Sequence, residues 1–455
     1  MTNPCPIEFG QKAAAKLIEL GMEQHEAANK GYLFKEGYEL LARKGHALEQ
    51  IIHSYFTPGR VEFLGKHTDY CGGRSLLCAI ERGLCFTVSP RQDSMVNLYR
   101  VDSGEVCSFD LSGSIQPIEG NWGNYPMTAA KRLVMNFDGC KCGADVAIAS
   151  DLPQAAGMSS SSAVIVGMWM ILNDINELDA SKEYQANIES DEDLAGYMGC
   201  IENGQSFRGL TGDKGVGTFG GSQDHTAIMF CECNRLKQFG FGPVTYEQTL
   251  AFDDEYDLVI GVCGKSANKT GNAKEKYNRA SLLVSELVNI WQDVNGHEYK
   301  TLASIVRSEN GFESLLCLVD DYQGKYLHGD LRLRLMQFVE ESESIIPEVS
   351  RLFTNGGVNA IGKLVDRSQF LSSNYLRNQI AHTDFLSDKA RELGAIAASA
   401  FGAGFGGSVW AMVSKTQTDV FTHAWKTAYN EYDGEASGRA TFFITRPGPS
   451  ASRLF

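Results

Sequence analysis

The chain has 455 residues, a net charge of -15 and a pI of about 5.1, with 43% hydrophobic and 21% charged residues. The balance is that of a folded soluble protein, and the length exceeds one ordinary core, so two domains are expected. No block of Lys and Arg supplies the basic footprint a nucleic acid needs, and no apolar run is long enough to span a bilayer.

The 12 cysteines are irregularly spaced and the nine histidines scattered, so no zinc pattern emerges. The start, Met1-Thr2-Asn3-Pro4-Cys5, has neither the charged nor the apolar region of a secretory leader, which points to a reducing, cytoplasmic setting.

Residues 1–56 read as a helical N-terminal extension. Ala13 to Leu20 repeats at helical period, and Gln24 to Ile52 carries Leu33, Tyr38, Leu40, Leu41, Leu48, Ile51 and Ile52. Within 57–73, Val61, Phe63 and Leu64 suggest a short strand, and the rest is a turn rich in glycine and polar residues. Residues 75–88 and 96–106 read as strands, a helix opens near Asn121, and Ala144 to Ala149 is a strand. Residues 177–201 read as an acidic helix, and 204–222 as a loop holding seven glycines. Leu258 to Val262 reads as a strand, Asn272 to Trp291 as a helix, 299–370 as helices, and Arg391 to Ala398 as a helix end. Gly402 to Gly407 leads into a strand, Ser408 to Val413, and another strand runs from Phe442 to Ile444.

One segment stands out. Pro153-Gln154-Ala155-Ala156-Gly157-Met158 leads into Ser159, Ser160, Ser161 and Ser162, then an apolar run, Ala163 to Leu172. A glycine and serine turn feeding a buried helix leaves N–H groups free for a phosphate, although serine is also an ordinary helix cap.

Three segments in this order resemble the GHMP kinase superfamily and, within it, the galactokinase family. The first is Pro58 to Tyr70, close to the family's P-G-R-V-N-L-I-G-E-H-T-D-Y. The second is Pro153 to Ala163, close to P-x-G-x-G-L-S-S-S-A. The third is Gly402 to Gly407, close to G-G-G-F-G-G. The match covers about 57–445. The resemblance implies a two-domain α/β GHMP kinase fold. An N-terminal domain of the ribosomal protein S5 domain 2-like type would span 57–230 and a C-terminal α/β sandwich domain 231–455, with the active site between them. It implies transfer of the γ-phosphoryl group of ATP, with Mg2+, to the anomeric hydroxyl of a hexose, by a monomer or weak dimer.

By the same resemblance Asp224 would take the hydroxyl proton, and Arg60 would keep Asp224 ionised and stabilise the transferring group. Ser160 and Glu202 would hold the metal, with Gly157, Ser159 and Ser161 completing the phosphate loop. Lys66, His67, Asp69, Gly221 and Tyr277 would line the sugar pocket. Apart from the family, Asp224 could be a turn residue, Arg60 a surface arginine, Glu202 a helix-end carboxylate, and His67 and Tyr277 core or turn residues.

Three departures from the family change the chemistry offered: Glu62 replaces Asn, Lys66 replaces Glu and His225 replaces Gln. Lysine has donors and no acceptor, so galactose should bind less well and a sugar with a C6 carboxylate, such as galacturonate, should bind better, unless the lysine points to solvent or pairs with a nearby acid. Other GHMP small-molecule kinases and a non-catalytic sugar or ATP sensor are the competing functions. The His67-Thr68-Asp69-Tyr70 run argues against the first, and Arg60, Asp224 and Ser160 together argue against the second.

Overall fold

The computed structural model describes residues 5–45, 53–265 and 272–455. Its first sheet has eight strands: β1 (His53–Leu64), β2 (Arg74–Pro90), β3 (Met95–Arg100), β4 (Val106–Asp110), β5 (Ala144–Ser150), β6 (Arg235–Gly240), β7 (Thr245–Ala251) and, from the C-terminal tail, β12 (Ser452–Arg453). The order is β12-β1-β2-β5-β3-β4, with β6 also on β2 and β7 on β6. Among the described residues, only β3 and β5 pair in parallel.

Alternation along the strands gives this sheet two buried faces. Phe56, Cys85 and Ala149 are in register and face the N-terminal helices Pro6–Glu19 and Gln24–Arg43. Tyr55, Phe86 and Ile148 face the main core, with Leu133 of the helix Asn124–Asn136 and Ile165 and Met168 of the helix Ser160–Asn176. Burial on both faces explains the apolar runs Leu76–Ile80 and Leu84–Phe86 of β2, which Glu81, Arg82 and Gly83 separate.

The second sheet is antiparallel, ordered β11-β8-β10-β9, from β8 (Tyr256–Val262), β9 (Ala397–Phe401), β10 (Ser408–Ser414) and β11 (Thr441–Thr445). Ile260 and Trp410 face the main core; Val259, Ala400 and Val409 face the helices Ala381–Glu392 and Thr418–Tyr432. The two sheets share one core, and Phe63 of β1 stacks on Trp410 of β10 at 4.0 Å between ring centroids. A helical layer, built mainly from 272–376, packs beside them.

Several expected boundaries shift. Residues 53–56 are strand, not helix, because Tyr55 and Phe56 pair with β2 and β12. Leu48, Ile51 and Ile52 lie outside the described residues. The helix expected at 391–398 stops at Glu392, and Ala397 to Phe401 is a strand: burial on both faces overrides the helix propensity of alanine. The 177–201 helix is broken into a 3-10 turn, Leu178–Ala180, a single helical turn, Lys182–Gln185, and the helix Asp191–Asn203, which Ser190 caps by accepting from the Asp193 amide. The 96–106 strand is split into β3 and β4 by a turn. β6, β7 and β12 belong to the first sheet, so strand pairing divides the chain between 251 and 256, and the tail returns to the first unit.

Candidate active site

β1 carries the first motif, and its register on β2 slips between Pro58 and Arg60 and again between Glu62 and Leu64. Such bulges turn side chains away from regular pleating. Arg60 is 3% exposed and makes two decisive contacts. Its Nε donates to Asp224 Oδ1 at 2.8 Å, and its Nη1 donates to the Gly157 carbonyl at 2.6 Å. The third motif meets the same point, since a Cβ on Gly402 would stand 2.7 Å from the Gly157 carbonyl oxygen. Ser408 Oγ also donates to the Ala156 carbonyl at 2.6 Å. Three segments distant in sequence therefore converge on one arginine.

Asp224 lies at the start of the helix Gln223–Phe230. Around it opens a narrow cleft, lined also by Glu62, His67, Asp69, Glu202, Gly220, Gly221 and Tyr277. Asp69 Oδ2 accepts from the Gln223 amide at 3.3 Å. Gly221 is required here for lack of room, because a Cβ would come within 2.5 Å of Asp69 Oδ2. His67 Nε2 lies 3.2 Å from the Ala403 carbonyl oxygen, which can only accept, so Nε2 carries a proton. Its Nδ1 is 2.7 Å from the Tyr70 hydroxyl, and its ring packs on Tyr277 at 5.0 Å. The expected sugar-pocket residues His67, Asp69, Gly221 and Tyr277 are thus brought together with Asp224 and Arg60.

Lys66 is not among the lining residues. It is 1% exposed, and its Nζ donates to Ser368 Oγ at 2.9 Å. The turn is drawn toward the helical layer because Glu341 Oε1 accepts from the Gly65 and Lys66 amides at 2.8 and 3.4 Å. Glu341 sits in a π-helical turn, Glu340–Ile345, that interrupts its helix.

The helix Ser160–Asn176 begins at the serine run, with Gly157 at φ 75° and Ser159 at φ 58°. Ser159 Oγ is buried with no hydrogen-bond partner among the described residues, and Ser160 is exposed on the first turn. An orphaned hydroxyl at a helix N-terminus fits a phosphate ligand. The serine that meets Glu202 is Ser162, whose Oγ donates to Glu202 Oε2 at 2.7 Å. Ser160 and Ser162 are two positions apart on a helix and do not share a face. Ser162 occupies the place of the motif's Ala, so the fourth serine was its signal in the sequence. His225 Nε2 lies 3.1 Å from the same Glu202 oxygen.

The glycine-rich 204–222 segment folds back onto Glu202. The Val216 amide donates to the Glu202 carbonyl at 2.8 Å, and a Cβ on Gly215 would stand 2.4 Å from that oxygen. Arg132 Nη2 holds the Gln205 carbonyl at 2.7 Å, and Asn203 Nδ2 holds that of Gly220 at 2.8 Å.

Three family models match the chain: the galactokinase galactose-binding signature over residues 45–90, the GHMP kinases N terminal domain over 124–203 and the GHMP kinases C terminal domain over 349–431. The chain belongs to the galactokinase family of the GHMP kinases. It is 28% identical to a galactokinase of Clostridium beijerinckii over 84% of this chain and 90% of that one. It is 27% identical to a galactokinase of Enterococcus faecalis over 92% and 97% of the two chains. In fold, this galactokinase-family chain is similar to the Lactococcus lactis galactokinase solved with galactose, at TM-score 0.74 and 23% identity over 91% of this chain and 98% of that one. The Methanococcus jannaschii mevalonate kinase is more distant, at TM-score 0.51 and 16% identity.

Proposed function

We propose that the chain is a sugar 1-kinase, transferring the γ-phosphoryl group of ATP to the anomeric hydroxyl of a hexose, either galactose or a C6-modified relative. The observation that carries this is Arg60, which joins Asp224 of the cleft to the Gly157 carbonyl of the serine loop. A base and a phosphate-type loop tied through one guanidinium are what phosphoryl transfer needs, since positioning and charge stabilisation dominate it. The curated galactokinases it resembles over most of their length support the same conclusion.

In the reaction Asp224 accepts the proton of the anomeric hydroxyl as that oxygen bonds to the γ-phosphorus, and the bond to the ADP oxygen breaks. Arg60 balances charge on the transferring group while keeping Asp224 aimed. Asp69 accepts hydrogen bonds from sugar hydroxyls. Magnesium, when bound, would neutralise phosphate charge beside Glu202 and a serine of the helix start.

A second substrate is a uronate. Lys66 is buried beside the lining residue His67, its Nζ on Ser368 Oγ and no carboxylate within 4.0 Å among the described residues, and a C6 carboxylate would pair with it if the side chain swung from Ser368 to the cleft. A glutamate at this position would add a third acid beside Glu62 and Glu341, so the informative change is Lys66→Gln. If galacturonate is the substrate, Lys66→Gln lowers its kcat/KM by about tenfold or more and alters that for galactose far less. Equal effects on both sugars would remove the uronate substrate.

Gly221→Ala is expected to displace Asp69 and raise the sugar KM by about tenfold, with the ATP KM unchanged. The function itself is tested by incubating the purified chain with magnesium, ATP and a hexose panel and detecting sugar 1-phosphate. Its absence for every sugar would overturn the kinase, and binding without transfer would make the chain a sensor.

A further inference from the structure

Glu62 stands two residues after Arg60 on β1, on the same face of the strand, and lines the cleft. It is 1% exposed. Gln223 Nε2 donates to its Oε2 at 2.6 Å. Gln223 is fixed in that orientation, because Ser75 Oγ donates to the amide oxygen at 2.7 Å. The second carboxyl oxygen, Oε1, has no hydrogen-bond partner among the described residues. Leaving such an atom unpaired is costly, and native structures supply a partner in nearly every case. On the wall of a binding cleft, the partner comes with what binds there.

We propose that Glu62 is a specificity-determining residue of the sugar site, with Oε1 hydrogen-bonded to the bound sugar beside the Arg60–Asp224 pair. This role rests on the sugar-kinase function above. The charged groups facing Glu62 are Arg60 on its own strand, Lys66 in the following turn, Asp224 at the helix start and Glu341 from the helical layer. Burial pushes the Glu62 carboxyl up to about 8, against the pull of Arg60 and Lys66 and with Asp224 and Glu341 adding to the rise. Below that pH Glu62 holds a proton. Oε2 already accepts from Gln223, so the proton resides on Oε1 and makes it a donor to a sugar oxygen. A neutral donor also leaves Arg60 committed to Asp224, where an ionised Glu62 would compete for it.

The test uses the full chain with magnesium, ATP, galactose and galacturonate, comparing the parent with Glu62→Ala and Glu62→Gln. Glu62→Ala should raise the sugar KM by about tenfold or more and leave the ATP KM alone. Glu62→Gln, whose amide can also donate, should recover most of that loss. In the parent, kcat/KM for the sugar should fall as pH rises through about 8, and Glu62→Gln should remove that limb. An unchanged sugar KM in the alanine variant, a joint rise in both KM values, or a limb that survives in the glutamine variant would overturn the role. If the alanine variant does not fold, the glutamine pH profile decides. A parent that binds sugar without turnover overturns the kinase alone, and calorimetric galactose and galacturonate affinities of the same variants then decide Glu62. A parent that binds neither sugar overturns both.

Discussion

Asp224→Asn is expected to lower kcat by about 10²- to 10⁴-fold with little change in the KM of either substrate. The substitution is nearly isosteric, and the amide oxygen can still accept from Arg60 Nε, now 2.8 Å from Oδ1. What disappears is the proton acceptor and the negative charge opposite a guanidinium that is 3% exposed. A second consequence separates loss of the base from general damage. Asp224 adds to the rise in the Glu62 carboxyl, and Arg60 pulls it down. With Asp224 neutralised, Arg60 loses its counter-charge, so Glu62 feels more of its pull and should ionise at lower pH. The residual activity of Asp224→Asn should therefore lose its alkaline limb earlier than the parent. Steady-state kinetics across pH reads both effects. A variant with unaltered kcat and a raised sugar KM would show that Asp224 binds sugar and does not take its proton.

Lys30→Met should destabilise the fold by about 3–5 kcal/mol, the cost of breaking a buried ion pair by removing one partner. Lys30 lies on the helix Gln24–Arg43 and is fully buried, with Nζ 2.6 Å from Asp151 Oδ2 and 3.0 Å from Glu26 Oε2. Asp151 opens the serine segment, and its Oδ1 accepts from the Gly83 amide at 2.8 Å. The N-terminal helices thus brace the entrance to the loop that would hold phosphate. Burial pushes the Glu26 carboxyl up, but Lys30 outweighs it and the net shift is below the usual 4.5. A depressed carboxylate stabilises the fold above its unfolded pKa, and that stability is lost as pH falls through the folded value. The gap between parent and variant should be full at neutral pH and shrink below about 4.5. Denaturant unfolding at neutral and acid pH measures it. A gap of the same size at both would assign the loss to packing of the methionine.

Much of the site was legible because each motif is local. Pro58 to Tyr70, Pro153 to Ala163 and Gly402 to Gly407 carry their own turn chemistry, and their order along the chain pointed to the family. Arg60, His67, Asp69, Gly221, Asp224 and Tyr277 then meet in one cleft. Lys66 could not be placed in this way. Whether it faces the sugar or Ser368 depends on Glu341, nearly three hundred residues on, which accepts from the Gly65 and Lys66 amides and turns the segment inward.

The sequence by itself determined the α/β class, the glycine and serine loops and the residue types available for chemistry, because these follow from periodicity and short motifs. Tertiary structure decided which serine meets Glu202, since the helical phase at Ser160 is set by how the helix packs on the sheet. It decided that Ala397 to Phe401 is a strand, since burial between two layers outweighs local propensity. It also decided the state of Glu62. Between its neighbours on the chain it is one more acid on a strand, and only Gln223, Lys66, Asp224 and Glu341, gathered from elsewhere, surround it so that one oxygen is held and the other left unpaired.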